Sequence, residues 1–254
     1  MARYKLTLAY DGTGFHGSQR QANRRTVQGE LEKALTELGW TGRSVLLSGR
    51  TDAGVHAAGQ VASADLGWSH ADDDLLRALN ASLPADISVR TVEIVNAKFH
   101  PRFDAASRTY QYRLFCQPLR DPLRERFAWR VSTPVPVTRD ALHEAARQFL
   151  GTHDFSAFGS PTTPKGSTVR TVMKAEWTQT ANDEWRFEVQ ANAFLYRMVR
   201  RMVFVQVVAA QGKVPAEAIA NALAKQASGK SRSELTSGLA PAHGLTLVNV
   251  EYRN

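Results

Sequence analysis

One cysteine, Cys116, is all that this chain of 254 residues contains. An intrachain disulfide is therefore impossible and a cysteine-based zinc site is excluded; such sparing use of cysteine fits a reducing cytosol. Long apolar runs are missing too. The longest, residues 203–210, is interrupted by Gln206 and is far too short to span a bilayer. The first eight residues alternate like a strand and have no continuous apolar stretch of the kind a secretion signal carries. The seven histidines show no H-x-x-x-H or H-E-x-x-H spacing. The paired motifs of zinc nucleobase deaminases, the G-x-S-x-G elbow and the phosphate-binding P-loop are all absent. Acidic residues are in deficit, 24 against 32 basic, for a formal charge of +8. That excess points to a polyanionic partner, most often a nucleic acid.

What is present is enough for a sizeable core. The hydrophobic fraction is 43%, and the length suits one large domain or two ordinary ones. Tyr4, Leu6, Leu8 and Tyr10 alternate with polar or small residues and predict a strand. After a polar, glycine-rich stretch over 11–25, Val27, Leu31, Ala34, Leu35 and Leu38 fall on one helical face, with Gly39 as the stop. Short strands are expected at 45–47 and 60–64, a helix over 72–83 and a strand over 87–95. Further on, 108–115 reads as a strand, 117–137 as a proline- and arginine-rich connection, and 139–150 as a helix ended by Gly151. Residues 169–178 and 185–191 alternate like paired strands. Helices are expected over 194–211 and 216–225, and a last strand over 245–252. Strands and helices mix without strict βαβ alternation, so the fold class is α+β with largely antiparallel sheet. Two similar halves, 1–105 and 106–254, are expected, the first carrying the acidic loop described next and the second completing a cleft.

Residues 49–57, Gly-Arg-Thr-Asp-Ala-Gly-Val-His-Ala, are the most informative segment. A single carboxylate, Asp52, follows Arg50 on a loop between two strands. A guanidinium nearby favours the charged form of an acid, and Gly49 and Gly54 let the backbone turn sharply and a substrate come close. The segment therefore reads as a carboxylate nucleophile on a strand-connecting loop. Upstream, Gly12, Gly14 and Gly17 spell a literal G-x-G-x-x-G after a strand. The dinucleotide reading requires a helix to open at once, and the polar run 18–25 forbids it. The better reading is a flexible loop bringing Arg20, Arg24 and Arg25 to phosphates. Residues 194–203 read as an amphipathic helix with Arg197 and Arg201 on one face. Arg200 lies beside the apolar stripe, where a buried arginine needs a carboxylate such as Asp52. On the strand over 108–115, Tyr110 and Tyr112 alternate near Arg108 and Arg113, a pattern suited to an unstacked base and its phosphates. These residues admit three activities: an enzyme with a carboxylate nucleophile, a glycosylase in which Asp52 stabilises an oxocarbenium ion, and a non-catalytic RNA-binding module.

Taken together, the motifs resemble the tRNA pseudouridine synthase A (TruA) family over nearly the whole chain. The similar blocks are Tyr10-Asp11-Gly12-Thr13 with Gly17 and Gln19-Arg20-Gln21, then residues 49–57, Arg108-Thr109-Tyr110, Asn192-Ala193-Phe194-Leu195 with Met198-Val199-Arg200, and residues 240–247. The resemblance implies a pseudouridine-synthase-type central sheet, isomerisation of uridine to pseudouridine at positions 38–40 of the tRNA anticodon arm, a homodimer, no cofactor and a cytoplasmic enzyme. It assigns Asp52 as the essential aspartate, Arg200 as the arginine partner, Tyr110 to the uridine pocket and Leu245 to the pocket wall. Arg50 is expected to fill the vacated stack or hold phosphate. Attack of Asp52 on C1′, addition to C6 and a glycal route all stay open. Ser18 departs from the pattern, since the family often has a large aromatic there.

Overall fold

The computed structural model describes residues 1–132, 137–224 and 235–253. In chain order its elements are β1 (Ala2–Tyr10), α1 (Val27–Glu37), β2 (Leu46–Leu47), β3 (His56–Leu66), α2 (Asp72–Ser82), β4 (Ile87–Val95), β5 (Ala105–Phe115), β6 (Trp129–Arg130), α3 (Arg139–Arg147), β7 (Gly151–Asp154), β8 (Val169–Ala181), β9 (Glu184–Ala191), α4 (Met198–Ala210), α5 (Glu217–Ala224) and β10 (Leu245–Tyr252). The fold is α+β, with mostly antiparallel strand pairing. None of the described helices is long and apolar enough to cross a membrane.

The chain divides into two compact units, Met1–Ala106 with Thr246–Asn254, and Ser107–Leu245. The expected second half ran to the C-terminus. The final strand instead groups with the first unit, because Thr246 and Leu247 pair in parallel with His56 and Ala57 of β3.

In the first unit β1 lies between β4 and β3, antiparallel to both. Tyr4, Leu6, Leu8 and Tyr10 are all buried, as the alternation requires. β2 pairs with the far part of β3, Leu46 opposite Ser63. Helix α1 is capped by the Thr26 hydroxyl, which accepts from Gly29 N, and buries Val27, Leu31, Ala34 and Leu35. Helix α2 packs on β4 through the buried Leu75 and Leu79. β3 begins at His56, four residues earlier than its apolar pattern suggested, so the loop joining β2 to β3 is only residues 48–55.

In the second unit the strands run in the order β5, β9, β8, β7, with β6 parallel to the end of β5. Tyr112 faces Phe187 across the β5–β9 pair, and Trp177 faces Phe187 across β8–β9. Helix α3 packs on β8 and α4. Helix α4 is buried along most of its length, and Gln206 within it is satisfied by accepting from Trp177 Nε1 at 2.8 Å. The helix expected over 194–211 starts only at Met198. Arg197 has φ of +63°, and Tyr196 N donates to Ser160 O at 2.9 Å, so the preceding residues make a bridge instead. Arg197 and Arg201 therefore do not share a helical face: Arg197 lies over the Tyr196 ring, and Arg201 donates to the carbonyls of Thr236 and Gly238. The helix expected over 216–225 is α5, Glu217–Ala224; Lys225 lies outside the described residues.

Candidate active-site loop

The loop 48–55 is held by hydrogen bonds at Ser48, Gly49, Thr51, Asp52 and Val55. Ser48 N donates to Val61 O at 2.8 Å, and Ser48 Oγ donates to Gln60 Oε1 at 2.7 Å. Gln60 Nε2 in turn donates to Gly49 O at 3.0 Å and to Tyr10 Oη at 3.4 Å. Tyr10 Oη and Thr51 Oγ1 share a hydrogen bond of 2.9 Å. Thr51 N donates to Ser18 Oγ at 2.9 Å, while Ser18 N donates to Thr51 O at 3.1 Å. Val55 N donates to Asp52 O at 3.1 Å, closing the turn around Gly54, whose φ is +79°. Of the two glycines expected to serve the turn, Gly54 supplies the left-handed residue; Gly49 stands in open space with ordinary backbone angles.

The 11–18 segment backs this loop. Gly12 N donates to His56 Nδ1 at 2.9 Å, with the Asp11 carboxylate 3.2 Å from the same nitrogen. A Cβ at Gly12 would fall 2.1 Å from Val55 O, and one at Gly17 would fall 2.9 Å from Thr51 O. These glycines serve close approach of two backbones. The segment Gly12–Gly14 is a short 3-10 turn, and no helix begins until Val27, so the dinucleotide geometry is absent. Ser48, Thr51, Val55, His56, Gln60, Ser18 and Tyr10 are buried. Arg50 and Ala53 are exposed, and Asp52 is half-buried. The burial of the Tyr10 phenol pushes its pKa up to about 12, so it stays a neutral hydrogen-bonding group. The result is a rigid, buried frame that presents Arg50 and Asp52 at its surface.

In the second unit Tyr110 lies on β5 opposite Val189, nearly buried, with its ring edge-on to Phe194 at 5.1 Å. Tyr112 is fully buried and donates its hydroxyl to Pro241 O at 2.9 Å; desolvation holds its pKa well above the ordinary phenol value. Arg200 is half-buried. Its Nε donates to Ala240 O at 2.8 Å, and Ala240 N donates back to Arg200 O at 3.1 Å. A Cβ at Gly244 would meet the Tyr112 ring at 2.6 Å, so residues 240–244 are fitted closely against β5 and α4. Leu245, buried, is the first residue of β10.

A family model described as tRNA pseudouridine synthase matches residues 7–104 and 145–253. The chain belongs to that family. Among its relatives, "tRNA pseudouridine synthase A" of Limosilactobacillus fermentum is 40% identical over 260 residues, covering 99% of this chain and 96% of that protein. "tRNA pseudouridine synthase A 1" of Bacillus cereus is 40% identical over 256 residues, covering all of both chains. The Bacillus subtilis protein named tRNA pseudouridine synthase A is 39% identical over 254 residues, covering 99% and 100%.

Three arginines expected to meet phosphates in this family member are placed differently from one another. Arg25 is committed: its Nε donates to Glu30 at 2.8 Å, its two Nη atoms donate to Asp86 at 2.7 and 2.8 Å, and it lies 4.3 Å over the Phe15 ring. Arg20 donates to the buried Glu32 carboxylate at 2.7 Å and to Arg43 O. Arg24 is exposed next to Asn23, whose φ is +56°, at the tip of a tight bridge between Gln21 and Arg24. The segment is thus a pinned turn rather than a flexible loop. The arginines of β5 are likewise engaged, Arg108 with Asn192 O and Arg113 with Glu184. Sequence reasoning passed over Tyr10, Gln60 and Ser48 as parts of the site. The burial alternation of β1 marked Tyr10 as inward, but nothing local marked its hydroxyl as a loop support.

Proposed function

We propose that this protein isomerises uridine to pseudouridine in the anticodon arm of tRNA, at positions 38–40, with Asp52 as the reacting carboxylate. Family membership supports the reaction. The observation that carries the residue assignment is the clamped loop: Ser48, Gly49, Thr51 and Val55 are each tied by hydrogen bonds, and Asp52 is the one carboxylate of that loop. A group held this firmly by its backbone meets the positional demand of covalent catalysis.

The chemistry is balanced within the substrate. The bond from C1′ to N1 breaks, the base turns, and a bond from C1′ to C5 forms. The proton leaves C5, and N1 ends protonated. Composition and mass are unchanged, so neither a reductant nor a nucleotide triphosphate takes part. The base must leave the stack first, which costs a few kcal/mol, and an aromatic contact returns about 1–3 kcal/mol. Tyr110 is the aromatic we assign to the uridine, with Arg200 and Leu245 as further substrate-binding residues. Arg50, exposed two residues before Asp52, suits the vacated stack or a phosphate. Arg24 has the exposure for phosphate contact, and Arg20 and Arg25 would join it only by loosening their ion pairs. An elongated tRNA with several targets in one arm calls for a wide basic surface, which favours a twofold homodimer; the cytoplasm is where such a substrate is met.

The test is product analysis. Incubated tRNA should gain a base of unchanged mass that labels with carbodiimide. Release of free uracil would instead make the protein a glycosylase, and unaltered tRNA that nevertheless binds would make it a binding module. Light scattering should give twice the subunit mass.

A further inference from the structure

The turn between β4 and β5 carries an aromatic ring where water should disfavour it. Phe103 is 75% exposed, yet its backbone is fixed. The Arg102 and Phe103 amides both point at His100 Nδ1, at 3.1 and 3.4 Å. His100 N donates to Asp104 Oδ2 at 2.8 Å, and Asp104 N donates back to His100 O at 3.1 Å. The base of the turn is bolted to the first unit. Arg3 Nη1 donates to Phe99 O at 3.0 Å, Tyr252 Oη donates to Pro101 O at 2.9 Å, and the Phe99 and Tyr252 rings lie 5.0 Å apart. On top of this anchor the His100 and Phe103 rings sit 4.2 Å apart at 38°, with the Arg102 guanidinium 5.8 Å from the Phe103 centroid.

An exposed ring held this rigidly is a contact surface whose ordering entropy has been spent in advance. From it we infer that Phe103, backed by His100 and flanked by Arg102, is a stacking platform for an unpaired nucleotide of the tRNA substrate. An aromatic face next to a guanidinium suits a splayed base with its phosphate. A second copy of this chain is the poorer occupant. Stable dimer faces bury a contiguous patch of about 800 Å² per partner, whereas Phe103 stands between two exposed charged residues, Arg102 and Asp104. The inference rests on tRNA being the substrate, but not on the role of Asp52.

The test is fluorescence anisotropy with labelled, unmodified tRNA, together with steady-state modification kinetics. Phe103→Ala should weaken tRNA binding at least about fivefold and raise KM while leaving kcat within about twofold. Because stacking releases no counterions, the slope of log K against log salt should not change. Phe103→Trp should restore affinity to within about twofold of the native protein. Equal affinity of the native protein and Phe103→Ala overturns the platform. So does weaker binding that Phe103→Trp fails to rescue, or a drop in mass by light scattering on Phe103→Ala, which would assign the ring to a second copy. If the native protein binds no tRNA at all, it is the proposed function that fails.

Discussion

Ser18 and Thr51 are joined by two hydrogen bonds of opposite direction. Ser18 N donates to Thr51 O at 3.1 Å, and Thr51 N donates to Ser18 Oγ at 2.9 Å. Ser18 is completely buried, and the Thr51 hydroxyl is itself tied to Tyr10. Both peptide groups of the residue preceding Asp52 are thus fixed from one side, and Gly17, at φ +91°, lets the supporting segment come within contact of Thr51 O.

Replacing Ser18 with alanine leaves the Thr51 amide without its acceptor in a buried place. An unsatisfied buried donor costs about 1–3 kcal/mol. Urea unfolding of Ser18→Ala should show a loss of that size. Modification assays on the folded variant should show kcat falling more than KM rises, since the loop that carries Asp52 loosens while the tRNA surface is untouched. A stability loss with unchanged kcat would make Ser18 a core residue only.

The Arg25–Asp86 pair sets an acid limit. The bidentate hydrogen bonds from Arg25 hold the Asp86 carboxyl below its ordinary value of 3.8. A carboxylate whose pKa is lower in the folded state adds stability that is present above the unfolded pKa and is lost as pH falls through the folded one. The native protein should therefore exceed Asp86→Asn in stability by about 1 kcal/mol at neutral pH, a modest figure because both side chains are partly solvated. The difference should shrink steadily below pH 4. Melting curves at pH 7, 4 and 3 measure it, and a gap that stays constant with pH would contradict the pairing.

Arg24 and Arg25 should separate cleanly despite being adjacent. Arg24→Ala should leave the melting temperature alone and flatten the slope of log K for tRNA against log salt by roughly 0.7 to 0.9. Arg25→Ala should lower the melting temperature by removing the bonds to Glu30 and Asp86. Salt titrations and thermal melts of the two variants check this, and an unchanged slope in Arg24→Ala would move the RNA path elsewhere.

Much of this molecule could be read from sequence where the signal is local. The strands over 87–95 and 245–252 match β4 and β10 because alternation is set by the residues themselves. Residues 49–55 of the nonapeptide were legible as a loop between strands for the same reason, although its last two residues, His56 and Ala57, already belong to β3. What escaped depends on distant partners. The run 18–25 looks solvated in sequence, yet Arg25 finds Asp86 across 61 residues. Ser18 looked like a mere departure, and its partner Thr51 lies 33 residues away. The helix expected from residue 194 has an unbroken apolar pattern, but Leu195 is buried in a bridge segment, so hydrophobic periodicity overran the helix start. The short β7 is held by its register with β8, Gly151 opposite Val172, which no local pattern announces.

The most direct measurement is single-turnover modification of an unmodified tRNA by Asp52→Asn. The amide keeps the shape of the side chain but is neither charged nor nucleophilic. The variant should melt like the native protein, bind tRNA with native affinity and form no pseudouridine. Pseudouridine formation above a few per cent of the native rate by a folded, tRNA-binding Asp52→Asn would contradict the assignment of Asp52 as the reacting carboxylate.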